Sequence, residues 1–125
     1  MEPLIVQSTT NTPAVRFNPQ SNKFQLSGVS LPENVMEFYQ PVLDWLMEYF
    51  NSPNPESIFE FKFSYLNTAS SKMVSNIFKI LDEQYTEGQK ISIAWYYDLE
   101  DAEIREFGQD LSEMFEIPVE FLIAE

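Results

Sequence analysis

Apolar and polar residues along the chain follow two alternating rhythms, one of period two and one of period near 3.6. Val15-Arg16-Phe17 and Lys23-Phe24-Gln25-Leu26 alternate in short runs, separated by Asn18-Pro19-Gln20-Ser21-Asn22. That intervening segment is turn chemistry, so the pair predicts a β-hairpin. The strongest strand signal runs from Ile58 to Leu66. There Phe59, Phe61, Phe63 and Tyr65 are expected on one face, with Glu60, Lys62 and Ser64 on the other. Ile91, Ile93, Trp95 and Tyr97 mark the inner face of a further strand, and Val119 to Ile123 forms the last. The residues before the hairpin, including the polar run Gln7 to Pro13, predict a ragged start and a loop.

Helical spacing fills the gaps between these strands. Ser30-Leu31-Pro32-Glu33 fits a capping box, in which the first hydroxyl and the later carboxylate satisfy each other's backbone donors. Behind it Val35, Phe38, Tyr39, Val42, Leu46, Tyr49 and Phe50 recur on one face. Pro41 lies inside that run and predicts a kink or restart, since it lacks an N–H and crowds the preceding turn. Asn67-Thr68-Ala69-Ser70-Ser71 opens a second helix, with Met73, Ile77, Ile80, Leu81 and Tyr85 apolar and Gly88 closing it. A third runs from about Glu100 to Glu116, burying Ile104, Phe107, Leu111, Met114 and Phe115.

The order β-β-α-β-α-β-α-β predicts one small α/β domain spanning residues 1–125, built on a mixed sheet. Strong alternation calls for one solvated sheet face, with the helices mainly on the other. The β-α-β-α-β stretch should be parallel with right-handed crossovers. This is a STAS-like arrangement.

Composition then narrows the chemistry. With 7 basic and 20 acidic residues the net charge is −13, which repels phosphate backbones and anionic lipid. Neither nucleic acid nor membrane is an expected partner. The chain has no Cys and no His, which removes thiolate nucleophiles, the commonest general base and the usual zinc ligands. Its 3 glycines cannot build a phosphate-cradling loop. No metal or cofactor is expected. The start of the chain is unlike a signal peptide and no apolar run is long enough for a membrane span, so the expected location is cytoplasmic.

If the strands ending at Leu66 and Tyr97 are parallel neighbours, one sheet edge gathers Asn67–Ser71, Tyr97–Asp101 and, given a matching first strand, Ser30–Asn34. Ligands and partners usually meet α/β sheets at that edge. Thr68, Ser70 and Ser71 then sit in or beside a helix's first turn, where free N–H groups and the helix dipole accept a phosphate, with Lys72 near enough to add a cation. Taken by themselves, these residues read first as ordinary N-caps and only second as a phosphosite. Glu33 is a capping residue or, paired with Asp98, an acid–base couple. Tyr96, Tyr97 and Asp98 form a contact patch or the satisfied edge of the core.

Tyr65-Leu66-Asn67-Thr68-Ala69-Ser70-Ser71-Lys72, following the Phe-rich strand, resembles the signature of the SiaC family of bacterial regulatory phosphoproteins. Thr12-Pro13-Ala14-Val15, Ser30-Leu31-Pro32-Glu33-Asn34, the Trp45 helix and Trp95-Tyr96-Tyr97-Asp98 are similar to it as well. The resemblance implies a non-enzymatic partner-switching protein, similar in logic to anti-sigma-factor antagonists. It implies a dedicated kinase acting on Thr68, a PPM-type phosphatase reversing it, and a diguanylate cyclase bound by the unmodified form. That would connect the chain to cyclic-di-GMP and to biofilm or aggregation behaviour. Asn67, Ser70, Ser71 and Lys72 would support the phosphosite. Ser30, Pro32, Glu33, Asn34, Tyr65, Tyr96, Tyr97 and Asp98 would form the docking edge, with Thr68 itself capping the second helix. Ala69 stands where a Ser is expected, which removes one alternative hydroxyl. Two rivals predict different behaviour: a constitutive adaptor indifferent to Thr68, and a carboxylate-based enzyme.

Overall fold

The computed structural model describes residues 1–124. Six strands lie in one sheet in chain order: β1 (Leu4–Val6), β2 (Ala14–Asn18), β3 (Lys23–Ser30), β4 (Ser57–Leu66), β5 (Ile91–Tyr97) and β6 (Val119–Ile123). β1, β2 and β3 are antiparallel neighbours, whereas β3 through β6 are parallel. Each parallel step is bridged by a helix: α1 (Val35–Tyr49), α2 (Thr68–Thr86) and α3 (Ala102–Met114). The mixed sheet and the single α/β domain agree with the sequence reading.

The helix-covered face is an aromatic core. Phe17, Phe24, Phe59, Phe61, Phe78 and Trp95 are almost wholly buried. Trp45 stacks on Tyr49 at 5.2 Å between ring centroids, and Phe24 on Phe59 at 4.7 Å. Each such ring removed from water contributes about 1.5–3 kcal/mol. Gly108 of α3 passes so close to Trp95 that a Cβ there would lie 2.4 Å from the indole nitrogen. That nitrogen donates to the Ile104 carbonyl at 3.0 Å, so ring and helix are locked together. The opposite face is polar. Lys23 pairs with Glu60 at 2.9 Å, Tyr96 donates to the same carboxylate at 3.2 Å, and Lys62 lies over the Tyr96 ring.

Several local expectations are corrected. The start of the chain is a strand rather than ragged: β1 pairs along β2 from Leu4↔Phe17 to Val6↔Val15, and Trp45 donates to the Glu2 carbonyl. Ser30 caps no helix. It is the last residue of β3, and α1 is capped by Asn34, whose side chain accepts from the Glu37 N–H at 3.1 Å. α1 runs through Pro41 as one helix. Glu37 and Pro41 are both exposed, so the carbonyl that Pro41 leaves without a donor can turn to water.

Tyr65 does not share a face with Phe63. The β3–β4 register jumps from Gly28↔Phe63 to Val29↔Tyr65, which leaves Ser64 as an extra residue in β4. Such a bulge reverses the alternation that follows it. Tyr65 is therefore turned out, 47% exposed, and Leu66 is turned in against the core. α3 is shorter than expected, and Met114 at its end is 66% exposed rather than buried.

Candidate functional site

Because β3, β4 and β5 are parallel, their carboxyl ends and the starts of α1, α2 and α3 gather on one edge of the sheet. Asn67 is the hinge of this edge. Its backbone N–H donates to the Ser30 carbonyl at 3.0 Å, and its side chain accepts from the Ser70 N–H at 2.8 Å, capping α2. Its own carbonyl takes both the Ser71 N–H and the Ser71 hydroxyl. Asn67, not Thr68, is therefore the cap.

The three hydroxyls of this turn have separate fates. Ser70 is fully buried and belongs to a closed chain with Ser30 and Tyr39. Ser30 donates to Ser70 at 2.8 Å, and Ser70 donates on to the Ser30 carbonyl at 3.0 Å. With the single Ser30 proton spent, Tyr39 must be the donor in its 2.6 Å bond to Ser30. Burial pushes the Tyr39 phenol above its usual pKa, against the opposing effect of bonds to Ser30 and Ser70. Ser71 is half-buried and bonded to Asn67.

Thr68 differs from both. It occupies the first position of α2, is exposed, and makes no side-chain hydrogen bond among the described residues. Lys72 is exposed one turn further along. Side chains four apart on a helix share a face, and that of the later residue leans toward the N-terminus. Thr68 and Lys72 thus share a face at the start of α2.

The remaining docking candidates spread more widely than the sequence implies. Pro32, Glu33 and Asn34 line a shallow depression with Thr12 and Phe38. Asp98 lines a different one between β4 and the start of α3, and its carboxylate accepts from the Glu100 N–H at 2.9 Å. Glu33 and Asp98 thus occupy separate depressions. Tyr97 is half-buried and packs on the core, while Tyr96 points from the solvated sheet face. Partial burial, then the Glu60 carboxylate beside it, raises the Tyr96 pKa. Among the described residues no group of three or more acidic side chains converges to hold a metal ion, and no helix is long and apolar enough to cross a membrane.

Sequence reasoning missed the Ser30–Tyr39–Ser70 chain and the outward turn of Tyr65. Periodicity alone assigns Tyr39 to the core and carries no signal for what its hydroxyl meets.

Comparison with known proteins places nearly the whole chain. An uncharacterised protein of Pseudomonas aeruginosa strain UCBPP-PA14 is 28% identical over 118 residues, 94% of each chain. The structure of SiaC of Pseudomonas aeruginosa superposes with a TM-score of 0.91 at 27% identity, covering 99% of this chain and 100% of that one. A crystal structure of the diguanylate cyclase SiaD with its activator SiaC, from the same organism, contains a chain matching at a TM-score of 0.90 and 26% identity, covering 97% of this chain and 99% of that one. The pattern described as SiaC family regulatory phosphoprotein matches residues 6–124. With nearly every residue inside that match, this chain belongs to the SiaC family of regulatory phosphoproteins.

Proposed function

We propose that this protein is a phospho-switch without catalytic activity of its own, working in the cytoplasm. A kinase modifies Thr68, a PPM-type phosphatase restores it, and the unmodified form binds and activates a diguanylate cyclase. The observation that carries this reading is the contrast among the three hydroxyls. Ser70 is sealed in the core and Ser71 is engaged by Asn67, whereas Thr68 stands exposed and unengaged at a helix start. The cyclase as output partner is supported by the complex known for the similar SiaC chain.

A dianionic phosphate at the first turn of α2 is favoured locally by free N–H groups and the helix dipole. For a partner that covers this edge, the same charge must be desolvated against a surface that is already acidic. Binding is therefore lost on phosphorylation. The test is phosphosite mapping by mass spectrometry on protein recovered from its own host, joined to cyclase binding by the unmodified, phosphorylated and Thr68→Ala forms. Phosphate on Thr68, loss of the cyclase on modification, and a Thr68→Ala form that binds whatever the kinase does are the expected results. An unmodified Thr68 across growth states, with a complex indifferent to its substitution, would leave a constitutive adaptor instead.

A further inference from the structure

β4 and β5 part company before either ends. Their pairing stops at Phe61↔Trp95, yet β4 continues to Leu66 and β5 to Tyr97. From Lys62 onward β4 has lost its partner on that side, and the Ser64 bulge lies within this stretch. The opening holds a cleft of about 690 Å³ toward the start of α3 and a narrower recess of about 180 Å³ between β4, α2 and α3. The two are continuous, sharing Ser64, Asp101 and Glu103 as walls.

The recess mixes apolar side chains with Ser64, Ser71 and two carboxylates. Leu66, Ile104 and Phe107 line it, with Tyr65 beside them, and Asp101 and Glu103 stand at its rim. Asp98 and Glu100 extend the acidic rim along the wider cleft. Among the described residues the one ion pair is Lys23–Glu60, so no basic side chain pairs with these carboxylates. Lys62 shares the wider cleft, however, and Asp101 also accepts from the Ile104 N–H at 3.1 Å as the cap of α3.

A narrow recess that sets apolar side chains beside carboxylates matches a long aliphatic stem ending in a cation. Aromatic walls favour the planar, weakly hydrated guanidinium over an ammonium. We propose that this recess receives an arginine side chain presented by a protein partner, its stem against Leu66 and Phe107 and its guanidinium on Glu103 and Asp101. The inference does not depend on modification of Thr68.

The test uses the full-length protein and N-acetyl-L-arginine amide as probe, followed by amide chemical shifts. N-acetyl-norleucine amide serves as a stem-only comparison and guanidinium chloride as a head-only one. Saturable shifts confined to Ser64, Tyr65, Ser71 and the first turn of α3 are expected, stronger than with either comparison compound. Glu103→Gln should weaken binding roughly five-fold or more, as loss of a charge-assisted contact does. Glu113→Gln makes the same charge change near the far end of α3 and should leave binding unaltered. Shifts scattered over the acidic surface, no saturation, or equal weakening by Glu113→Gln would each overturn the assignment. Glu100→Gln is the second rim variant should Glu103→Gln disturb the fold.

Discussion

Ser30 and Ser70 are forty residues apart, yet each donates a hydrogen bond to the other, Ser30 through its hydroxyl to the Ser70 oxygen and Ser70 back to the Ser30 carbonyl. This reciprocal pair fastens the end of β3 to the first turn of α2. Tyr39 brings α1 to the same point. The turn that carries Thr68 is thus anchored from beneath by two other elements.

Ser30→Ala should be more damaging than Tyr39→Phe. The first strands a buried phenol donor, at a cost of about 1–3 kcal/mol, while Ser70 keeps its bond to the main-chain carbonyl. The second removes a donor whose acceptor is still bonded to Ser70, and should cost about 0.5–1.5 kcal/mol. The double variant should lie well short of the sum. Urea unfolding of the four proteins measures this.

Asn67 and Thr68 should separate stability from regulation. Asn67→Ala removes the cap of α2 and should cost about 0.5–2 kcal/mol. Thr68→Ala alters an exposed, unbonded side chain and should stay within about 0.5 kcal/mol of the parent. Equal unfolding midpoints for the two variants would contradict the assignment of Asn67 as cap.

Alkaline pH should weaken the fold through Tyr39. Its folded pKa is raised, chiefly by burial, above the value of about 10 that an unfolded tyrosine has. The folded state therefore holds this proton more tightly. The associated stability is complete below about pH 10 and is lost as pH rises from there through the folded pKa. In Tyr39→Phe the fall in stability above pH 10 should be shallower. Denaturant midpoints across that range, set beside phenolate absorbance, test the sign.

Much of this was legible in the chain. Alternation placed Phe59, Phe61, Phe63 and Trp95 in the core, and the parallel β-α-β-α-β order gathered Asn67, Thr68 and Asp98 on one edge. Failures arose where one extra residue or one distant partner decided the outcome. A bulge at Ser64 is invisible to a period-two count, yet it turned Tyr65 from core to surface. Ser30 matched a capping box by spacing, but β3 extends through it and pairs it with Leu66, so its hydroxyl serves the core. Leu4–Val6 was too short to register as a strand, and only the finished β2 edge gives it a place.

Strand order equal to chain order also bears on how the molecule is made. Each strand finds its neighbour in the one just completed, so the sheet can be laid down in sequence as the chain leaves the ribosome, without waiting for a distant segment. The growing edge is at every stage the most recent strand, and the next helix folds back over it. The first and last strands then end up as the two outer borders of the sheet. Fusions at opposite termini would project from opposite sides, which makes the separation of two such labels a direct gauge of whether the sheet has been completed.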